Sequence, residues 1–186
     1  MKRIFDFGLA LVASAVLLLP ILIVVLMVKL SSRGPVLYWS DRIGRDNRIF
    51  AMPKFRSMVV DTPAVATHLL RNADSFLTPI GSLLRKSSLD ELPQLWSILT
   101  GDMSFVGPRP ALFNQDDLIR LRTEQGVHHL RPGLTGWAQV NGRDELPIPV
   151  KVGLDVVYMQ KQSFAFDLKI LVLTFLKVIR REGVSH

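Results

Sequence analysis

Residues 7–28 read FGLALVASAVLLLPILIVVLMV, a run without a single charged side chain. Built as one straight helix at 1.5 Å per residue, it would reach about 33 Å, enough to cross the hydrocarbon layer of a bilayer. Two features argue against a simple span. Pro20 lies inside the run, where its ring and missing N–H break a helical hydrogen bond and bend the axis, which predicts a break over residues 16–20. Basic residues also flank both ends, Lys2 and Arg3 before, Lys29, Arg33, Arg42 and Arg45 after. An excess on one side is what sets a spanning orientation. The pattern therefore predicts a broken helix that enters one leaflet and returns, with a kinked single span as the competing arrangement. No small-residue cleavage pattern follows the run, so it reads as retained rather than as a signal peptide.

Outward from this segment the chain divides into residues 1–33, the membrane helix and its flanks, and residues 34–186, a single body facing water or the interface. The 186 residues leave room for one ordinary domain. Hydrophobic residues make up 48% and charged ones 21%, which excludes global disorder. Twenty-three basic against 16 acidic residues give a net charge of +7. Anionic partners follow, and beside a membrane segment these are lipid and phosphate rather than nucleic acid. The absence of cysteine removes disulfides, thiolate metal sites and a cysteine nucleophile.

Within the body, Gly34-Pro35 marks a turn, and residues 36–39 and 49–52 read as strands of a hairpin. Residues 61–78 read as a helix bounded by prolines. Residues 90–99 place Leu92, Leu95, Trp96 and Leu99 at amphipathic helical spacing. Starting that helix at Asp90 leaves Pro93 in the first turn, where a missing N–H does no harm. Residues 101–142, rich in Gly and Pro, predict ordered loops joining short elements. Residues 168–179 form an apolar helix with interspersed basic residues, suited either to the membrane surface or to a core with a basic outer face. Trp39, Trp96 and Trp137 are candidates for stacking on a nucleobase or for the lipid headgroup zone, with core packing the more frequent fate.

The chemistry centres on Asp90-Glu91. At a helix start, unpaired N–H groups and the helix dipole would hold both carboxylates as anions, ready to ligate a metal or attack as a nucleophile. Simple helix capping explains such a dipeptide equally well when it is taken alone. Three arginines change that: Arg85, Arg109 within Gly107-Pro108-Arg109-Pro110, and Arg143 at the end of Gln139-Val140-Asn141-Gly142-Arg143. The last two sit in rigid loops that can hold a guanidinium fork against phosphate oxygens. Carboxylates and arginines together suggest a phosphorylated substrate with Mg2+. Lys54 and Arg56 are candidates for contact with phosphate or with anionic lipid. His128-His129, being consecutive, point in different directions and do not read as a metal site.

Several long motifs occur in a fixed order: Lys2-Arg3-Ile4-Phe5-Asp6-Phe7, Lys54-Phe55-Arg56-Ser57-Met58, Ser88-Leu89-Asp90-Glu91-Leu92-Pro93-Gln94, residues 101–110 (GDMSFVGPRP) and residues 131–143 (RPGLTGWAQVNGR). In these the chain resembles the bacterial sugar transferases, the small monotopic phosphoglycosyl transferases. The resemblance implies a mixed α/β catalytic core with a re-entrant membrane helix and amphipathic interfacial helices, on the cytoplasmic face of a bacterial inner membrane. It implies transfer of a sugar 1-phosphate from a UDP-sugar to undecaprenyl phosphate with release of UMP, the first membrane step of glycan assembly. Asp90 would form an aspartyl phosphosugar intermediate in a ping-pong sequence, Glu91 would assist, and Asp90 and Glu91 would hold Mg2+. Arg85, Arg109 and Arg143 would bind substrate phosphate. One departure is Leu19-Pro20, where that family commonly has Ser-Pro at the break. A basic nucleotide- or lipid-binding scaffold and a phosphohydrolase are the rival readings. The identity of the sugar is not legible, and a homodimer is compatible with the sequence.

Overall fold

A computed structural model describes residues 1–63, 65, 72–142 and 146–180 of the chain. The apolar run is two helices, α1 (Lys2–Val16) and α2 (Leu18–Ser31), bent by 63° at Leu17. Pro20 accounts for the position. Its ring would meet the carbonyl four residues back, at Val16, which is where α1 ends. Among the described residues no single helix is long and apolar enough to cross a membrane; only the bent pair together reaches that length. The pair leaves Leu11, Val16, Leu19, Leu22 and Leu26 exposed while burying Ala10, Val24 and Val28 against the body.

The hairpin forms as expected and runs longer: β1 (Leu37–Ile43) pairs antiparallel with β2 (Ile49–Phe55), Tyr38 opposite Lys54. The segment 61–78 lies partly outside the described residues. Within its described part, Ala73–Phe76 is a 3₁₀ turn, and Leu77 bridges to Met58. Next come α3 (Gly81–Lys86), a 3₁₀ turn at Leu89–Glu91, and α4 (Gln94–Thr100). The predicted helix start is thus corrected. Pro93 caps α4 in the helical region, so Asp90 and Glu91 stand in a separate tight turn just before it.

The Gly/Pro-rich stretch resolves into the expected short elements. Strand β3 (Ser104–Val106) pairs in parallel with β4 (Gly133–Thr135), and the crossover between them carries α5 (Asp116–Glu124). Helices α6 (Trp137–Val140), α7 (Ile148–Lys161) and α8 (Phe164–Arg180) complete the mixed α/β body. The main core gathers Ala10, Met52, Leu95, Ile98, Met103, Val106, Tyr158 and Ile170, so the first helix is built into it. A second cluster joins Val24 and Val28 of α2 to Phe55 and Leu84. Helix α8 buries Asp167 and Ile170 and turns Val172, Phe175 and Leu176 outward, so its outer face is not merely basic. Of the tryptophans only Trp137 packs as expected, against Phe166 at 5.0 Å between ring centroids. Trp39 and Trp96 are 52% and 60% exposed. Both sit beside an apolar groove instead of in the core.

Candidate active site

Three chain segments deliver the site. The last turn of α3 carries Arg85, and the chain reverses through Ser88, which takes the left-handed conformation at φ 56° to bring Asp90 and Glu91 back toward β2. Strand alternation then decides what they meet. Pro53 and Phe55 face away, while Lys54 between them turns its amine to the carboxylates. Lys54 Nζ lies 2.8 Å from Glu91 Oε1 and 4.0 Å from Asp90 Oδ2. From the third segment, the turn after β3, Arg109 Nη2 donates to the same Glu91 Oε1 at 2.7 Å.

The turn carrying Arg109 is locked by close backbone packing. The Gly107 N–H donates to Thr135 O and the Gly133 N–H to Pro108 O, both at 2.9 Å. A Cβ on Gly133 would fall 2.1 Å from Gly107 N, and one on Gly136 would fall 2.1 Å from Gly107 O. Only glycine allows these chains to touch.

The two carboxyls differ in their electrostatics. Burial pushes Asp90, 8% exposed, above the ordinary carboxylate range, and neighbouring Glu91 adds to this; Lys54, Arg109 and Arg85 pull the other way without cancelling it. Burial also opposes ionisation of Glu91, but Arg109 and Lys54 outweigh it and hold that carboxyl well below its usual range. The expectation that helix N–H groups would favour the Asp90 anion is therefore corrected: α4 begins four residues later, and desolvation dominates. Glu91 is a fixed anion clamped by two cations. Asp90 is a poorly solvated carboxyl beside it, which as an anion has little water to shed before attacking an electrophile.

The structure brings Asp90, Glu91, Arg109 and Arg85 to one place, Arg85 acting on Asp90 through its charge and approaching Met58 Sδ at 3.6 Å. Arg143 lies outside the described residues. Lys54 is a member of the cluster that sequence reading left among general phosphate or lipid contacts. Its signal was the continuation of β2 past Met52, which puts a lysine on the inward face. Arg56 does neither of the things expected of it. Its guanidinium is buried and donates to Ser32 O at 2.9 Å and to Arg33 O, tying off the end of α2. The carboxylates form an all-oxygen donor pair, of the kind that holds Mg2+ together with substrate phosphates. Among the described residues no group of three or more His, Asp or Glu side chains is arranged to hold a metal by itself.

Comparison with known proteins adds to this geometry. The family model for bacterial sugar transferases matches residues 1–181, nearly the whole chain. The chain belongs to that family. It is 40% identical over its full length to the uncharacterized sugar transferase EpsL of Bacillus subtilis, covering 91% of that protein. It is 42% identical to the undecaprenyl-phosphate glucose phosphotransferase of Komagataeibacter xylinus, matching 100% of this chain but 36% of the relative. A third relative is the UDP-glucose:undecaprenyl-phosphate glucose-1-phosphate transferase of Escherichia coli, 42% identical over 83% of this chain and 35% of its own length. The chain thus spans about a third of these last two sugar transferases.

Proposed function

We propose that this sugar transferase moves a sugar 1-phosphate from a UDP-sugar to undecaprenyl phosphate, with Asp90 as the nucleophile. The observation that carries the reading is the division of labour in the carboxylate pair. Glu91 is neutralised by Lys54 and Arg109, while Asp90 keeps a desolvated carboxyl at the edge of the same cationic cluster. In the first displacement an Asp90 oxygen attacks the phosphorus that bears the sugar, and the bond from that phosphorus to the UMP oxygen breaks. UMP carries the electron pair away. In the second, an oxygen of undecaprenyl phosphate attacks the same phosphorus, and the Asp90 carboxylate leaves. Only phosphorus–oxygen bonds change, so the anomeric configuration is retained.

A dianionic diphosphate repels an incoming carboxylate, and Arg109, Arg85 and Lys54 offset that repulsion where charge builds up. Asp90 and Glu91 would hold Mg2+, which supplies further neutralisation of the phosphates. Arg143, close in sequence to β4 and α6, is assigned to the same phosphate-binding role.

The acceptor combines a charged head with an apolar chain, and the surroundings of the site suit both. An apolar groove of about 560 Å³ is walled by Ile21 and Val25 of α2, by Pro53 and Phe55 on either side of Lys54, and by Pro93 and Trp96 just beyond Glu91. Strand β2 therefore shows a cation to the carboxylates on one face and grease to the groove on the other. We place α1 and α2 as a re-entrant pair in the cytoplasmic leaflet of a bacterial inner membrane, with the exposed face of α8 at the interface. Such placement brings a soluble donor and a lipid acceptor to one carboxylate.

The test is a panel of UDP-sugars with undecaprenyl phosphate and Mg2+, scored by UMP formed. Release is expected with one sugar class, to depend on the polyprenyl phosphate for sustained turnover, and to vanish in Asp90→Asn. Sustained release without any lipid acceptor would make the protein a hydrolase. Full turnover by Asp90→Asn would remove the nucleophile.

A further inference from the structure

Arg109 projects from a turn that belongs to no helix or strand, yet its guanidinium has to meet one oxygen of Glu91. Four consecutive carbonyls of that turn are held from outside. Pro108 O accepts from the Gly133 N–H of β4, Pro110 O from Arg42 Nη1 of β1, and Ala111 O from the Ile43 N–H. The carbonyl of Arg109 itself is treated differently: it accepts from Arg122 Nη1 of α5 at 2.8 Å. The same guanidinium sends Nε and Nη2 to a single oxygen of Asp155 on α7, at 2.9 and 2.7 Å. Arg122 is 8% exposed and Asp155 1% exposed. A buried ion pair contributes little net stability compared with apolar packing of the same volume. Here its geometry does something packing cannot. The planar fork is pinned on one edge by Asp155 and presents its remaining edge to one backbone oxygen.

We infer that Arg122 and Asp155 are a positioning pair for the transfer reaction: Asp155 orients Arg122, Arg122 fixes the backbone of Arg109, and Arg109 thereby reaches Glu91. This rests on the assignment of Arg109 and Glu91 to the transferase site. It goes beyond that assignment by giving a catalytic task to two residues that lie under the site and touch no reacting atom. A lysine at position 122 keeps the charge but not the fork, so it can hold Asp155 or the Arg109 carbonyl and not both in the same geometry.

The experiment is a double-mutant cycle between Arg122→Lys and Arg109→Lys, read as kcat for UMP release in the full-length protein with undecaprenyl phosphate, the preferred UDP-sugar and Mg2+. Misplacing a charged group by about 1 Å costs on the order of 100-fold in rate, and Arg122→Lys is expected to lose 10- to 100-fold on that scale. In the Arg109→Lys background the same change is expected to alter kcat by no more than about twofold, since its effect passes through Arg109. Asp155→Asn, which keeps shape and removes charge, should show a smaller loss absorbed in the same way; it carries the test if Arg122→Lys does not fold. Losses that multiply across the two backgrounds, or full turnover by both Arg122→Lys and Asp155→Asn, would overturn the inference. Full turnover by Arg109→Lys alone would instead strike at the assignment of Arg109 to the site.

Discussion

At the scale of single residues, Asp90 and Glu91 are neighbours with opposite titration behaviour, and each makes its own prediction. In the proposed displacement Asp90 attacks as the anion, and burial raises its pKa. The donor kcat/KM is therefore expected to rise with pH through a group titrating above the ordinary carboxylate value of 3.8. A pH–rate profile of UMP release checks this, and Arg85→Gln should move the limb to still higher pH by removing a cation that favours the anion. For Glu91 the folded-state pKa lies below the usual 4.5. Its contribution to stability is then fully present above 4.5 and lost as pH falls through the folded value. Melting temperatures of wild type and Glu91→Gln between pH 7 and 3 are expected to converge toward the acid end. A constant gap would mean that the pairing with Lys54 and Arg109 does not stabilise the fold.

At the scale of elements, the close contact between β3 and β4 is the feature most exposed to substitution. Gly133→Ala puts a methyl into the backbone of Gly107 and is expected to cost about 1–3 kcal/mol, the usual range for overpacking. Because the displaced backbone leads into the Arg109 turn, activity should fall further than the thermal shift alone accounts for; parallel melting and UMP-release measurements separate the two. Legibility differed from element to element for physical reasons. The hairpin was readable because its alternation is local, and the break in the apolar run because proline forbids one particular hydrogen bond. The start of α4 was misread because the spacing of Leu92, Leu95 and Trp96 is equally satisfied by a 3₁₀ turn running into a helix. Only the left-handed Ser88 distinguishes the two, and no pattern announces it. Within the site, Asp90, Glu91 and Arg109 were found through motif company. Lys54 needed the far end of a strand, and Arg122 and Asp155 needed two helices to be brought side by side. Trp39 and Trp96 were expected inside because large apolar side chains usually are; here α2 supplies a second apolar surface that leaves them at a groove. Substituting Trp96 with Ala should raise the KM for undecaprenyl phosphate several-fold while leaving that for the UDP-sugar unchanged, a split that steady-state kinetics resolves.

For the molecule as a whole, the amino-terminal segment is fastened to the catalytic body by charged groups as well as by its apolar face. Arg3 donates to the carbonyls of Ile98 and, at 2.7 Å, Leu99, the last turn of α4. Asp6, 1% exposed, accepts from Ser104 Oγ at 2.8 Å and from the Phe105 N–H. Lys2 pairs with Asp167 at 2.6 Å, and Asp167 also accepts the Tyr158 hydroxyl, which burial keeps protonated. Asp6→Ala leaves the Phe105 amide without its acceptor inside the core, while the Ser104 hydroxyl keeps Val106 O, and about 1–3 kcal/mol is expected for the stranded amide. Chemical denaturation in detergent checks the figure. These tethers also impose an order on biosynthesis. The opening residues emerge from the ribosome long before Ile98, Ser104 or Asp167 exist, and the last of these partners lies 165 positions downstream. During that interval α1 lacks the partners it has in the folded body, and in the proposed re-entrant placement lipid shelters its apolar face first. In that placement the rest of the body is assembled onto helices already seated, and a ribosome halted before α8 leaves Lys2 without its carboxylate and the core without Ile170.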